Sequence, residues 1–345
     1  MSGAERPEQK ILITGATGFL GQALVSRALA DGYAVRALCR SAAARELLPD
    51  AVEMAQGDLQ DASSLHRAME GCDAVIHAAG LVSTWRRDPA DFHKVNVEGT
   101  QCVLRAARER GITRVLYTSS FFALGPTTER PANEEWQETG SGLPTAYARS
   151  KAEADQWVRE WNRTGNGVIL LYPVLIYGPG RRTSDHPITA MIHHGLRRRR
   201  HLMIPGAGTY RWTFAYVDDV AKGHLLALEK AQPGSRYILG GEDASSVELL
   251  ELLESLTRIP RRKRKIPMGM RRAFAFMEEW RTRFSANGHP RITREDLDVV
   301  KHHWRYSSQK AITELGYLRT PMKVGWIKTL ESLGFSFLED YHTTL

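Results

Sequence analysis

The sequence predicts an α/β protein: a doubly wound parallel sheet with a smaller, mixed C-terminal substrate lobe. Three observations carry that prediction. Residues 10–21, KILITGATGFLG, read as a short buried strand, a glycine turn and the first turn of a helix. Short apolar strands then alternate with longer helical patterns up to Pro173, which calls for parallel strands joined by crossover helices. Beyond Tyr177-Gly178-Pro179-Gly180 the rhythm breaks into shorter, mixed elements.

The opening unit follows from its residues. Ile11, Leu12 and Ile13 are apolar in a row, as in a central strand buried on both faces. Gly15, Gly18 and Gly21 come at three-residue spacing. The first permits a tight turn, the second lets the backbone approach a pyrophosphate, and the third lets the helix pack closely on the strand. Free N–H groups and the dipole at that helix start favour an anion. A glycine-rich turn without a ligand is the plain alternative, but the strand-turn-helix placement at the head of the fold favours dinucleotide binding.

The remaining elements continue the alternation. Strands are predicted at Ala34–Arg40, Val52–Gln56, Ala74–His77, Arg114–Thr118 and Val168–Tyr172, and helices at Ser63–Met69, Phe92–Arg110 and Ala146–Arg163. Residues 124–144, rich in Gly, Pro, Thr and Glu, suggest a surface loop. Further on, helices are expected near 187–200, 218–229 and 246–257, with strands near 202–204 and 212–216. The division is therefore residues 1–180 as a dinucleotide-binding unit and 181–345 as a substrate lobe. That lobe is not expected to fold alone, since its segments can return to the sheet.

Composition narrows the class. At 345 residues, 42% hydrophobic and 25% charged, the chain can bury a full core and reads as a soluble globular protein. No apolar run reaches the ~18–20 residues of a membrane span. The first strand begins near residue 10 behind a polar tail, which leaves no room for a secretory signal. Three cysteines, Cys39, Cys72 and Cys102, without a C-x-x-C, suggest reduced thiols and a cytoplasmic location. The net charge of +8 is concentrated in Arg197–Arg200 and Arg261–Lys265. A solvated surface is the plain reading and contact with anionic lipid or an anionic substrate the sharper one, with no nucleic-acid module present. No metal site is expected: the pairs His193-His194 and His302-His303 are adjacent in sequence and so point in different directions.

The chemistry is concentrated in Tyr147-Ala-Arg-Ser-Lys151. Four-residue spacing on a helix puts Tyr147 and Lys151 on one face, where an ammonium lowers the phenol pKa towards useful acid–base range. Tyr306-Ser-Ser-Gln-Lys310 has the same spacing, so the pattern alone decides nothing. Position does: Tyr147 opens the helix between the fifth and sixth strands, and Tyr306 lies far outside the dinucleotide unit. Thr118-Ser119-Ser120 ends the fifth strand, where a hydroxyl can donate to a substrate oxygen or simply serve the turn.

With these residues in place, the chain resembles the extended short-chain dehydrogenase/reductases of the NAD-dependent epimerase/dehydratase superfamily. The matching pieces are TGATGFLG at 14–21, GDL at 57–59, HAAG at 77–80, NVEGT at 96–100, YTSS at 117–120, YARSK at 147–151, LYPVLIYGPG at 171–180 and FAYVDDVAKGH at 214–224. They occur in family order over about two thirds of the chain. The resemblance implies a Rossmann fold in which Gly15, Gly18 and Gly21 hold the pyrophosphate and Thr17, Phe19 and Leu20 of the same turn also bind the cofactor. It implies that Asp58 and Leu59 border the adenine, that Ala78, Ala79 and Gly80 line the cofactor with Asn96 in support, and that Pro173 abuts the nicotinamide. Tyr147 would be the general acid–base, Lys151 would hold the ribose and tune Tyr147, and Ser120 would polarise the reacting carbonyl.

Cofactor choice turns on Cys39-Arg40-Ser41, where the second strand ends without the carboxylate that would bind an NAD ribose. Arg40 there favours NADP, with NAD the alternative. Within the superfamily, Phe121-Phe122 replace the acidic pair of a dehydratase, and Tyr172 and Trp212 stand where nucleotide-sugar epimerases carry Asn and Arg. The closest resemblance is to the dihydroflavonol-reductase-like branch and its farnesol-dehydrogenase-like members. It implies an NAD(P)-dependent oxidoreductase acting on a lipophilic alcohol or ketone of terpenoid, flavonoid or steroid type. A nucleotide-sugar 4-epimerase with tightly bound NAD is the alternative. Leu81, Trp85, Phe121, Phe122 and Tyr177 would form the apolar substrate wall. By analogy with the family, helices 92–110 and 146–163 suggest a homodimer. Met268–Phe284 reads as an amphipathic helix that packs on the core or, alternatively, meets a membrane surface.

Overall fold

Seven short strands, most of them rich in β-branched and aliphatic residues, pair in parallel in the order β3-β2-β1-β4-β5-β6-β9. They are β1 (Lys10–Thr14), β2 (Ala34–Cys39), β3 (Glu53–Gln56), β4 (Ala74–His77), β5 (Arg114–Thr118), β6 (Ile169–Pro173) and β9 (Arg236–Leu239). The computed structural model describes residues 9–83, 85–136, 142–180, 208, 210–260, 267–283, 290 and 292–335. The elements expected at 187–200 and 202–204, both basic runs and His193-His194 lie outside these residues.

The inner strands are apolar on both faces because helices cover both. Ile11, Leu12, Ile13, Val75, Ile76, Leu116, Leu170 and Leu171 are buried in one continuous core. The helices are α1 (Phe19–Ala30), α2 (Ala62–Met69), α3 (Ala90–His93), α4 (Gly99–Glu109), α5 (Phe121–Leu124) and α6 (Ala146–Arg163). A π-helical stretch, Lys94–Glu98, joins α3 to α4. The helix Val217–Lys230 lies against α1 and the sheet. Its last carbonyls are capped by Arg114 of β5, whose guanidinium donates to Ala227, Leu228 and Ala231 at 2.6–2.8 Å.

Strand order reverses between β1 and β4. The two pair directly, and each continues outward to a different half of the sheet. Their C-terminal ends therefore bound a crevice, the usual ligand position in such sheets. Gly15 turns there with φ +75°, and a Cβ on it would meet the Ala79 backbone at 2.7 Å. A Cβ on Gly21 would meet the Gly15 carbonyl oxygen at 2.0 Å, so only glycine lets α1 seat this close to the turn.

A second, smaller sheet has the order β10-β8-β7: β7 (Leu175–Tyr177), β8 (Arg211–Tyr216) and β10 (Glu242–Ser245). The helices Ser246–Thr257 and Met322–Ser332 pack on it around Leu249, Leu253, Trp326 and Leu330. Strands β7, β9 and β10 have no counterpart in the sequence expectations. β7 runs on from β6 after a single residue, and β10 is EDAS, with little β-propensity of its own. The segment 303–307 ties this lobe to the residues after α5. Thr127 N donates to the His303 carbonyl and Ala132 N to the Arg305 carbonyl, both at 2.8 Å, while Thr213 N donates to the Trp304 carbonyl at 2.9 Å.

Two histidines at the sheet's C-terminal edge are fully buried and held neutral. Thr100 donates its hydroxyl proton to the Asn96 carbonyl (2.7 Å) and so accepts from His77 Nε2–H (3.0 Å); His77 Nδ1 accepts from Thr14 (2.7 Å). His224 Nδ1–H donates to the Val220 carbonyl (2.8 Å), leaving Nε2 to accept from Thr118 (3.1 Å). Burial lowers His77 to about 3 and His224 to about 4. Below their ordinary 6.5 the unfolded chain takes up protons that the folded one refuses. Their stabilising contribution is thus complete above pH 6.5 and falls on acidification, by up to about 1.4 kcal/mol per pH unit for each ring. NMR of the ring protons is expected to show no titration of either histidine down to about pH 5, whereas a midpoint near the ordinary ~6.5 would refute the neutral assignment. In the small lobe, Trp326 is fully buried and stacked on Tyr177 at 4.7 Å. Trp326→Ala should cost about 3–5 kcal/mol in urea denaturation, and a loss below about 1 kcal/mol would show that this core is not coupled to global folding.

Candidate active site

Tyr147 is the second residue of α6, whose first turn is capped by the Thr145 hydroxyl accepting from Ala148 N at 2.9 Å. One turn on, Lys151 points back to the end of β5 and donates to the Thr118 carbonyl at 2.9 Å, with its ammonium 4.9 Å from the Tyr117 ring centroid. A Cβ on Gly80 would lie 4.0 Å from Lys151 Nζ and 3.3 Å from Asn96 Oδ1, which brings Gly80, Asn96 and Lys151 together at the crevice. Lys151 is buried, and desolvation lowers it to about 8 while the charge of Asp155 works in the opposite direction.

Asn96 holds the loop after β4 to α6. Its Oδ1 accepts from Leu81 N (2.7 Å), and its Nδ2 donates to the Leu81 carbonyl (3.2 Å) and to Ser150 Oγ (2.9 Å). Ser150 donates to the Tyr147 carbonyl at 2.8 Å. The π-helical stretch that carries Asn96 inserts an extra residue into the helix, a device common at functional sites. Ser120 caps α5 by accepting from Phe122 N at 3.2 Å, which leaves its own proton available to donate to a substrate oxygen.

The structure sorts the expected apolar wall. Phe122 is half-buried and edge-on to Tyr147, with centroids 5.6 Å apart; Leu81 and Trp85 are half-buried on the loop after β4. Phe121 is core, packed edge-on against Trp304 at 5.4 Å and Tyr306 at 5.8 Å. Tyr177 is a correction. It belongs to the second core, against Phe214, Tyr216 and Trp326, with its hydroxyl donating to the Met322 carbonyl. Its aromatic character reflects packing in the lobe rather than a place beside Tyr147. Tyr306 is structural as well: buried, with its hydroxyl donating to the Gly125 carbonyl and 3.1 Å from that of Phe121.

Sequence reasoning missed several residues. Trp304 backs Phe122 at 4.8 Å, and Phe92 lies 6.2 Å from Tyr147. Asp155 is buried beneath Lys151, accepts from Ser119 Oγ at 2.9 Å and pairs with Arg159 at 2.9 Å; burial raises its pKa. Tyr147, Lys151, Asp155 and Arg159 follow at four-residue spacing, a signal available in the sequence had the YARSK pattern been extended. Trp304 carries no such signal, because only the chain's return places it here.

The residues expected to hold a cofactor fall at and around the glycine turn. Gly18 begins α1 without a side-chain cap, so the N–H groups of that first turn have no partner from the capping residue. Phe19 is buried, Thr17 and Leu20 half-buried, and Thr17 O accepts from Gln22 Nε2 at 3.0 Å. Ala78 and Ala79 lie against Gly15. Pro173 is buried at the end of β6. Arg40, Gln56, Gly57, Asp58, Asp61, Ser64 and Arg67 line an open depression of about 470 Å³ at the ends of β2 and β3. Leu59 is half-buried beside Gly99. The glycine cradle, the uncapped helix start and the two guanidiniums fit a dinucleotide.

Comparison with known proteins agrees with this geometry. The model of the NAD dependent epimerase/dehydratase family matches residues 11–240. The chain is 32% identical over 317 residues to the "Putative dihydroflavonol 4-reductase" of Synechocystis sp., covering 90% of each chain. It is 33% identical over 325 residues to "Sterol demethylase protein B" of Methylococcus capsulatus, covering 91% of this chain and 95% of the other. It is 31% identical to the "4-hydroxy-2-methyl-3-oxo-4-farnesyl-3,4-dihydroquinoline-1-oxide ketoreductase" of Stigmatella aurantiaca, covering 89% and 91%. Among solved structures, that of gox2253 superposes with a TM-score of 0.80 at 31% identity over 95% of this chain and 98% of that one. A UDP-glucose 4-epimerase from Thermotoga maritima, at TM-score 0.75 and 22% identity over 94% and 99%, shares the fold. The matched family model spans more than half the chain and takes in the glycine turn, Ser120, Tyr147 and Lys151: this protein is an enzyme of the NAD dependent epimerase/dehydratase family.

Proposed function

We propose that this enzyme transfers hydride between a nicotinamide cofactor, NADP in preference to NAD, and a lipophilic alcohol or ketone. The observation that carries the reading is Tyr147 at the head of α6 with the buried Lys151 ammonium one turn below and the Phe92 and Phe122 rings beside it. The cofactor supplies or accepts the hydride. Tyr147 gives its proton to the substrate oxygen in reduction and takes it back in oxidation. The Lys151 charge favours the phenolate and so eases both transfers; the same ammonium would hold a ribose hydroxyl. Ser120 donates to the same oxygen and stabilises negative charge as it develops there. The aromatic rings exclude water and favour an apolar substrate over a nucleotide sugar. Relatives whose names specify a dihydroflavonol, a 2-alkyl-3-oxoalkanoate and a farnesyl-bearing quinoline as reductase substrates support the same class. The epimerase alternative is supported by the breadth of the matched family and by fold.

The NADP preference rests on Arg40 and Arg67, which line one depression beside Asp58. Two guanidiniums suit a 2′-phosphate, and Asp58, whose Oδ1 accepts from Gln60 N, is engaged locally.

Two outcomes test these readings. Purified enzyme should oxidise or reduce a member of a panel of prenyl alcohols, flavanonols and hydroxysteroids, followed by nicotinamide absorbance. Tyr147→Phe should lower kcat/KM by roughly 10²–10⁴-fold, while Tyr306→Phe, which keeps every catalytic group, stays within a few-fold. UDP-sugar epimerisation without net cofactor turnover would establish the alternative. In fluorescence titrations NADP should bind more tightly than NAD, and Arg40→Ala should narrow the ratio about tenfold by weakening NADP alone. Equal affinities in the wild type would end the preference.

A further inference from the structure

We propose that Asp155 is a positioning residue for the reaction at Tyr147: its carboxylate is the counter-charge of the Lys151 ammonium and clamps the end of β5 that carries Ser120. The inference rests on the proposed roles of Tyr147, Lys151 and Ser120 and adds a residue that acts only through them. Asp155 is 1% exposed and follows Lys151 by one turn of α6. One of its oxygens accepts from Ser119 Oγ at 2.9 Å, and the other pairs with Arg159 Nε at 2.9 Å. Ser119 is held a second time by its N–H, which donates to the Leu171 carbonyl of β6 at 2.8 Å. On one side of Ser119 the Thr118 carbonyl accepts from Lys151, and on the other Ser120 caps α5. Asp155 therefore reaches Ser120 through the chain and Tyr147 through Lys151.

The clamp alone does not call for a charge. A neutral amide at this position would accept from Ser119 as a carboxylate does, without the cost of burying an ion. Arg159, at the more exposed end of the stripe, offsets part of that cost. The other end of the stripe is the ammonium. The groups around Lys151 are Tyr147 and Asp155 on α6, Tyr117 from β5 and His77 from β4. Burial keeps His77 neutral and holds the Tyr117 phenol protonated. Apart from Tyr147 itself, Asp155 is thus the source of negative charge for the ammonium among the described residues. Asp155 in turn faces Arg159 on its own helix, Tyr172 from β6 and Arg236 from β9. Burial favours its neutral form, while the Arg159 and Arg236 charges and the Ser119 hydroxyl favour the carboxylate.

The sign of the effect follows. Without the Asp155 charge Lys151 gives up its proton at lower pH, and a neutral amine no longer favours the Tyr147 phenolate. Activity then falls earlier on the alkaline side in either direction of hydride transfer, because both need the ammonium.

The test is an NMR titration of the full chain, with lysine labelled at Cε and aspartate at Cγ and the Lys151 signal assigned by its loss in Lys151→Met. In the wild type, Asp155 should give the signal of a carboxylate from about pH 6 to about pH 9. Asp155→Asn keeps an acceptor for Ser119 and removes the charge. Its Lys151 midpoint should move down by about one pH unit, and the alkaline fall of kcat/KM with it. Ser119→Ala cuts the clamp and keeps the charge, so it should lower kcat/KM about tenfold without moving the midpoint. A neutral carboxyl at Asp155 near neutral pH would overturn the proposal, and that result is read on the wild type even if Asp155→Asn fails to fold. An unmoved Lys151 midpoint in Asp155→Asn would reduce the residue to packing and overturn it. So would a midpoint displaced as far in Ser119→Ala as in Asp155→Asn, which would assign the effect to the end of β5 rather than to charge. The titrations need no substrate, so failure of the proposed reaction and failure of this inference are read separately.

Discussion

A buried ammonium is the constraint around which the C-terminal edge of the sheet is arranged. Taking a charge out of water costs several kcal/mol after relaxation, so Lys151 persists only because its surroundings return much of that cost. The Thr118 carbonyl accepts from it at 2.9 Å, the Tyr117 ring lies beneath it, and Asp155 supplies a negative charge one turn further along α6. Asp155 is itself buried and needs partners, which Ser119 and Arg159 provide. Tyr147, Lys151, Asp155 and Arg159 thus make one stripe on α6, in which each charged group stabilises its neighbour. The end of β5 is fixed by the same stripe, since Thr118 and Ser119 both contribute to it. Ser120, the next residue, is positioned as a consequence. The candidate site's geometry and a solution to a burial problem are here the same set of contacts.

The crevice beside this stripe follows from a different constraint, close approach of backbone. Gly15 and Gly21 leave no space for a Cβ, so the turn after β1, the start of α1 and the loop after β4 lie in direct contact. His77 bridges Thr14 and Thr100 just below, and Thr14 also accepts from Ala79 N at 3.2 Å. The neutral ring joins the glycine turn to the helix that carries Asn96, and Asn96 in turn reaches Ser150 beside Lys151. The glycine turn and the Tyr147–Arg159 stripe are therefore linked by hydrogen bonds through a buried, neutral histidine.

How far the sequence reveals this depends on the range of the interactions. The parallel sheet as far as β6, α1, α2 and the position of α6 are legible because each rests on local periodicity or on glycines that no other residue can replace. That Tyr306, despite its matching spacing, is structural is legible from its position outside the alternation, and the structure buries it against α5. What escapes is long-range. Trp304 reaches the site through the return of segment 303–307 along β8, and nothing in His302-His303-Trp304-Arg305 announces it. Tyr177 fails for the converse reason: it follows the last motif strand so closely that proximity in sequence suggests proximity to the site. β7 instead turns into the second sheet, and the ring stacks on Trp326. Strands such as EDAS become strands only because β8 offers them a partner.

The inverted helix at Met268–Arg283 belongs to the same physical argument. Soluble helices turn their apolar stripe inward because that is where area leaves water. Here the inward side contains Ala275, Glu278 and Thr282, and the larger apolar side chains face out. A sequence reader sees the stripe but has no means of telling which way it faces, since periodicity is unchanged by rotating the helix about its axis. The ion pairs Glu279–Arg294 and Arg272–Asp298 fix that rotation. Their partners sit on the short helix Arg294–Val299, whose Glu295 holds the start of α6. The orientation of the outward face is thereby tied to the start of the helix that carries Tyr147.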